Sequence, residues 1–454
     1  MAQRSQFRKL VHLRPVEHMY DISKASFNQP NAYAAWPSMN CMIGDQASVV
    51  PRPGYTTDIA MNPDERVLNV ARFQKRDGTA YTIYLTEHDI AIRSLVAGET
   101  YAYHTPLWMA GTVTTSDALK VITGDAAVNW DTVYTGSGVK PVKVGDKFIT
   151  NLDFAERYNE PYTKWRTIST IDSDTQVTLT ANAYANQPAG SAYRIRQLYA
   201  VPAGERWSHC MCANQFIFTC GGTHVQTWGG DITAVATSLS SEKGLLVGTA
   251  TYATNARYCL AYADRLLIAD MYIGGSRQPW SLYWSKQDYP ETWLDTTAGN
   301  QSFIETEGFI TGLGIVGTDM VIYKNRSMIF GYRTGIGATP FEFTMERRGI
   351  GCWAPYSLVH AMSTNFFLGA DDFYIINGDH PESIGKKIRG KFFSMVPVGE
   401  REKVFGWWSR DKHMVIWVAN TTNYGQVFFG YDYINMEWMT WKYHMEVTGA
   451  GEAA

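Results

Sequence analysis

The sequence has no run of 18 apolar residues, so nothing in it spans a bilayer as a helix. Its start, MAQRSQFRKLVHLRP, is broken by charges and lacks the apolar stretch of a secretory signal. Synthesis in a cytosol is therefore expected, with Cys41, Cys210, Cys212, Cys220, Cys259 and Cys352 as free thiols. There is no strong basic excess: 40 Lys and Arg stand against 43 Asp and Glu, a net charge of -3 that argues against a nucleic-acid coat. One basic cluster, Arg4, Arg8, Lys9 and Arg14, reads as a solvated arm, with a partner-binding arm as the alternative.

Motifs with a built-in chemistry are also missing. There is no G-x-S-x-G elbow, Walker loop, H-E-x-x-H or G-x-G-x-x-G. The S-x-D-x-G-x-T-W repeats of sialidase-type blades are absent too. The cysteines do not fall into the C-x2-C knuckles of structural zinc sites, although Cys210, Cys212 and Cys220 lie near His209 and His224. Cys210 and Cys212 share one strand face, where a thiol reads as a small core hydrophobe, with a disulfide or a metal as the alternatives. Asp371, Asp372 and Asp379 have neither the spacing nor the closing Glu of a calcium loop and read as turn residues. No residue is assigned a catalytic, cofactor-binding or metal-binding role, and the chain is not expected to be an enzyme.

What is present is strand-forming material. The chain is 45% hydrophobic with 14% aromatics, including 27 Tyr and 15 Trp, which suits half-buried pleated surfaces. Its 39 Gly suit tight turns. In the stretch 312–374, Val321, Tyr323, Met328 and Phe330 alternate around the turn 324–327. Val359, Phe366, Leu368, Phe373 and Ile375 repeat the pattern around Ala370, Asp371 and Asp372. Similar units start near 207, 257, 309, 356 and 403, a spacing of about 46 to 52 residues that falls in the range of propeller blades. An earlier copy starts at 66, where RVLNVARF, a turn with Asp77-Gly78, and Tyr81, Ile83 and Leu85 form a hairpin pattern. The gap from 66 to 207 matches the others once an insertion of about 90 residues is removed. That insertion, 111–200, is Thr- and Asp-rich, and Val142, Val144, Phe148, Trp165, Ile168, Ile171, Val177 and Leu179 can line a small core of its own. Inserting a module into a loop costs little, because closure entropy grows only logarithmically with length.

The expected fold is all-β: a β-propeller of about six blades, with an inserted small β-barrel and an extended N-terminal segment. The expected divisions are that segment at 1–60, a first blade at 61–110, the barrel at 111–200, the remaining blades at 201–448 and a flexible tail at 449–454. Prolines 15, 30, 37, 51 and 53 interrupt the N-terminal segment, and 40–55 reads as a hairpin with Met42 and Ile43 opposite Val49 and Val50. Phe216, Phe218 and Trp228 read as core. Trp407, Trp408, Trp417, Trp438 and Trp441 in the last blade read as packing between blades, with stacking on sugar rings as the sharper alternative. Arg347 and Arg348, beside Glu346, read as an exposed ion-paired loop on one rim, with contact to phosphate or a neighbouring subunit as the alternative.

Several strings together resemble a known family. NCMIGDQASVVPRPGY, SLYWSKQDYPETW, ITGLGIVGTDMVIYKNRSMIFGY, FFLGADDFYIINGD and SIGKKIRGKFF, in this order, look like the tail nozzle proteins of short-tailed bacteriophages, also called tail tubular protein B or packaged-DNA stabilisation proteins. The insertion, VGDKFI to TQVTLT, resembles a small β-module common in phage structural proteins. The resemblance covers roughly 40–395 and rests on string order, so it carries over no active site. It implies a structural virion protein: a ring, as a hexamer, around the DNA channel, which retains the packaged genome and passes it on ejection. The implied partners are further copies of the chain, the adaptor and portal-side ring proteins, tail fibre or needle proteins, and double-stranded DNA in transit. The implied location is the virion tail, after synthesis in the host cytoplasm. A slightly acidic protein suits a conduit that must not grip phosphate. The competing reading is a propeller that binds or cleaves surface glycan.

Overall fold

The protein is described by a computed structural model covering residues 41–43, 49–51, 66–94, 100–101, 105–132, 140–150, 165–183, 185–232, 234–241, 243–305, 308–344, 347–378, 380–442 and 447–451. The basic cluster at 4–14 and most of the N-terminal segment lie outside these residues, as do Glu346 and Asp379. The chain is nearly all β, with six small sheets arranged as a six-bladed β-propeller. An eight-stranded sheet interrupts the series between the first and second blades.

The blades begin with the strands Val67–Gln74, Ser208–Cys212, Leu245–Gly248, Ile310–Val316, Val359–Ala361 and Phe405–Ser409. The second, third, fifth and sixth are antiparallel meanders of sequential strands. The inner strands are buried on both faces, as in Ala80–Thr86, where every residue after Ala80 is buried. This explains why Thr82 and Tyr84 are covered as well as the expected face Tyr81, Ile83 and Leu85. A strand covered on both sides loses the alternation that a half-exposed one keeps.

Hairpins in three of the blades share a turn chemistry. Ala213-Asn214, Ala263-Asp264 and Met362-Ser363 are two-residue connections with both residues at positive φ, between 48° and 62°. This is the type I′ geometry, whose twist matches that of paired strands. Non-glycine residues adopt it at a cost of roughly 1 kcal/mol each. The hairpin expected at 40–55 is present, with Met42 opposite Val50 and Ile43 opposite Val49.

The described chain forms two compact units. One is built on Gly314–Tyr332 and Phe343–Glu452, the other on Ile59–Leu313 and Arg333–Glu342. In the first, Phe373 is an aromatic hub, with ring centroids 4.8 Å from Phe392, 4.9 Å from Trp417 and 4.9 Å from Trp438. Phe392 comes from the short helix Arg389–Met395, which follows the fifth blade. A second cluster packs Tyr323 and Phe330 of the fourth blade against Phe367 and Tyr374 of the fifth. There Asn365 Nδ2 donates to Tyr323 Oη at 2.9 Å, and both side chains are fully buried. Such a hydrogen bond fixes register where apolar contacts alone tolerate slippage.

In the second unit, Phe73, Tyr81 and Ile83 of the first blade pack on Phe216, Phe218 and Trp228 of the second. Tyr81 Oη donates to the Gly230 carbonyl at 2.9 Å, and Trp207 Nε1 to the Thr86 carbonyl at 2.7 Å. The insertion has its own core of Trp130, Phe148, Ile168, Val177, Tyr193 and Ile195, among others. Its sheet runs from Leu107–Trp108 to Tyr193–Arg196, with these two strands paired to each other. Entry and exit are therefore adjacent, which is how an insertion leaves its host blades undisturbed. Val144, expected in this core, is 63% exposed, because it lies in the turn before Lys147–Thr150.

Candidate functional site

Two tryptophans of the sixth blade are anchors. Trp417 is fully buried and donates from Nε1 to the Ser357 carbonyl at 2.8 Å, while Trp438 donates to the Ile384 carbonyl at 2.8 Å. Both bonds tie the sixth blade to segments flanking the fifth. Trp407 packs on Phe405 and Phe428, and Trp408 lies under the Arg410 guanidinium, 4.7 Å from its ring centroid. Trp417, Trp438 and Trp441 are buried, and Trp407 and Trp408 are half-buried.

Asp372 is a structural clasp. It is fully buried and accepts hydrogen bonds from its neighbour Phe373 N at 2.8 Å, Ser383 Oγ at 2.5 Å and Arg389 at 3.2 Å. It thereby holds the start of the helix to the fifth blade. Gly385 permits this: a Cβ there would lie 1.9 Å from the Asp372 carboxylate. Asp371 accepts from Tyr374 Oη at 2.9 Å. Burial and that carboxylate hold the Tyr374 hydroxyl well above its ordinary pKa.

Arg347 and Arg348 form a short strand paired with Met328 and Ser327, rather than a free loop. Arg347 lies over the Phe330 ring, 4.7 Å from its centroid. The third strand of the fourth blade thus carries more than one partner along its length, which a turn-counting reading of the sequence misses. Cys212 and Cys259 belong to a core shared by the second and third blades, against which Cys210 packs. Burial pushes the Cys212 and Cys220 thiols up to about 11, so neither is a thiolate at neutral pH.

The densest polar chemistry lies where the insertion meets the first three blades. Arg196, on the insertion's last strand, forms an ion pair with Asp89 of the first blade, with side-chain exposures of 1% and 6%. Arg196 Nε donates to Thr105 Oγ1 at 3.0 Å, and its guanidinium lies over the Trp165 ring. Asp89 accepts from Ile90 N at 2.7 Å. Nearby, Asp146 accepts from Lys143 N at 2.8 Å and Leu198 N at 2.9 Å, closing the insertion's base. Burial pushes its carboxyl up to about 6 despite those two donors.

Beside Asp146 lies a cavity of about 400 Å³. Lys140 and Lys143 stand at its edge, and Gly222, His224, Gln226 and Asn255 form part of its wall. The loop carrying Gly222 is pressed on the segment leaving the insertion: a Cβ at Gly222 would lie 1.9 Å from the Ala200 carbonyl oxygen. Burial lowers the His224 imidazole to about 4, so it is neutral at pH 7.

A second polar cluster links the second and third blades. Asp270 is held by Arg277 through two hydrogen bonds of 2.7 and 2.6 Å, and Arg257 lies 3.5 Å away. Arg257 also pairs with Glu205 at 2.6 Å. Asp270 sits at φ 51°, where the pairing register shifts between Ala269 and Met271. This is a β-bulge that turns one polar side chain out of an apolar strand. None of Arg196, Asp146, Gln226 and Asp270 is singled out as a site residue by motif, and His224 is named only beside the cysteines. Their only signal is a lone polar residue in an apolar string, as in RLLIADMYI or SAYRIRQLY. Among the described residues, no three His, Cys, Asp or Glu side chains are grouped to hold a metal ion. No helix among them is long and apolar enough to cross a membrane.

No protein-family model matches the chain, and no curated protein matches it. Solved structures similar to it include a phage phi92 endosialidase, at 10% identity and a TM-score of 0.26, covering 70% of this chain and 54% of that one. Another is the dihydro-heme d1 dehydrogenase NirN in complex with DHE, at 9% identity and a TM-score of 0.30, covering 73% and 53%. A third is Hsv2 of Kluyveromyces lactis, at 9% identity and a TM-score of 0.31, covering 85% and 100%. The match spans about half the length of the first two.

Proposed function

We propose that this chain is a structural protein of the tail nozzle of a short-tailed bacteriophage, forming a ring of copies around the channel through which DNA leaves. The observation that carries the reading is where the family-like strings fall. The string at 281–293 contains the end of Ser276–Trp284, and 310–332 supplies the first three strands of the fourth blade. The string at 366–379 makes the central hairpin of the fifth blade, and 383–393 leads into the helix Arg389–Met395. These are consecutive structural units in one order, and the same segments bury Tyr323, Phe330, Phe373 and Phe392.

Two further features support it. The insertion is welded to its host by a buried ion pair, as suits a module that must hold position under load. Of the sixth-blade tryptophans that motivate a glycan-stacking alternative, Trp417 and Trp438 are buried and serve as anchors. In such a ring each copy uses different surfaces toward its two neighbours, and the contacts close by rotation. The test is to mix the purified chain with a purified portal and adaptor assembly and determine the mass of the product. A gain of six copies supports the proposal; no association, or binding of a single copy, counts against it.

A further inference from the structure

The strands Ser208–Cys212 of the second blade and Thr251–Tyr262 of the third bring two thiols together. Cys210 and Cys259 are both free; Cys210 is half-buried and Cys259 is 5% exposed. Several contacts fix their approach. Cys259 N donates to Ser208 Oγ at 3.0 Å, and Ser208 Oγ donates to the Cys259 carbonyl at 3.3 Å. Side chains two apart on a strand share a face, so Cys210 is turned toward the third blade as Ser208 is. The Cys259 thiol donates to the Ile217 carbonyl at 3.9 Å, and Ile217 is the residue directly across from Cys210 in the second blade. The two side chains are also hydrogen-bonded to each other, thiol to thiol.

The other described thiols are placed differently. Cys212 stands on the same face but one side-chain position, about 7 Å, farther from Ser208 than Cys210 does. Cys220 Sγ lies 3.9 Å from Thr223 Oγ1, and Cys352 donates to the Ala354 carbonyl at 3.1 Å in the core of the fourth and fifth blades. A disulfide holds its sulfurs about 2.05 Å apart, and rotation of the two side chains closes that gap from hydrogen-bond distance when the strands already lie side by side.

We propose that Cys210 and Cys259 are a reversible disulfide site that cross-links the second and third blades when the chain meets a small disulfide as oxidant. One cysteine thiolate attacks the small disulfide and expels half of it as a thiolate, which takes up the proton. The second cysteine attacks the mixed disulfide, forms the Cys210–Cys259 bond and expels the other half. The two protein thiols are oxidised, and the small disulfide is reduced to two thiols. Cys210, the less buried, is the entry point. The link closes the chain from 210 to 259, which restricts the unfolded state and so favours the folded one. The inference is independent of the nozzle reading, since it concerns a single copy of the chain and no assembly.

The test incubates the folded full chain with glutathione disulfide and then blocks the remaining thiols with iodoacetamide in denaturant. The chain is digested without reductant, and linked peptides are mapped by tandem mass spectrometry. The expected result is a Cys210–Cys259 link that dithiothreitol reverses and that Cys212→Ser retains. The oxidised chain should show a higher urea midpoint than the reduced one, and Cys259→Ser should trap glutathione on Cys210. Links only to Cys212 or Cys220, a link that forms only in urea, or mixed disulfides without a link in the wild-type chain overturn the proposal. So does recovery of both Cys210 and Cys259 as alkylated thiols, whatever the variants do.

Discussion

The buried pair Asp89–Arg196 offers a sharp test of how the insertion is held. Asp89→Ala leaves the Arg196 guanidinium, 1% exposed, without its counter-ion. Breaking a buried pair from one side costs roughly 3–5 kcal/mol, because the remaining charge was desolvated on folding. The double variant Asp89→Leu with Arg196→Met removes both charges and is expected to return to within about 1 kcal/mol of wild type or above it, since apolar replacements of such pairs are often neutral or stabilising. The readout is amide hydrogen exchange in Tyr193–Arg196 and Ile90–Ser94, the two strands that carry or adjoin the pair. Exchange in both should accelerate together in Asp89→Ala and recover in the double variant. A cost below about 1 kcal/mol, or faster exchange confined to one strand, would refute the idea that this pair joins insertion and blade.

Asp146 and His224 make opposite demands on pH. The Asp146 pKa rises from 3.8 to about 6 on folding, so its contribution to stability is present at low pH and is lost as pH rises through 6. The His224 pKa falls from 6.5 to about 4, so its contribution is present at neutral pH and is lost as pH falls through that window. Relative to wild type, Asp146→Asn should gain stability as pH rises from 4 to 6, and His224→Gln should lose it, each by roughly 3 kcal/mol for two pKa units; urea midpoints measured across this range decide it, and parallel profiles would contradict both assignments. Met362→Gly relieves a left-handed backbone at φ 50° in an exposed turn and should stabilise by about 1 kcal/mol, seen as a higher urea midpoint. Phe373→Ala removes the aromatic hub and should destabilise the unit it serves by about 3–5 kcal/mol, with the near-ultraviolet signal of its tryptophans lost first.

The blades were legible because each must bury both faces of its inner strands, and that leaves apolar runs at a regular spacing. Units expected near 207, 309, 356 and 403 open with strands at Ser208, Ile310, Val359 and Phe405. The third blade is less regular: its long strand Thr251–Tyr262 is preceded by Leu245–Gly248, an added edge that a spacing count passes over. The shared turn was not legible, since Ala213-Asn214 and Met362-Ser363 lack the Asn-Gly or Asp-Gly signature and adopt left-handed geometry because the strands on either side require it. The paired strand at Arg347–Arg348 was read as a loop for a related reason: two residues of pairing leave no periodic trace. The cavity was beyond sequence reasoning. Its walls come from the insertion and two blades, so no single stretch of sequence shows which residues meet there.

The nozzle reading is tested most directly by locating the chain in intact particles. A cryo-electron microscopy reconstruction of virions that carry it should show six copies of the propeller in the ring below the adaptor, surrounding the axial channel. Density for the propeller in the fibres, or its absence from the tail, would contradict the reading.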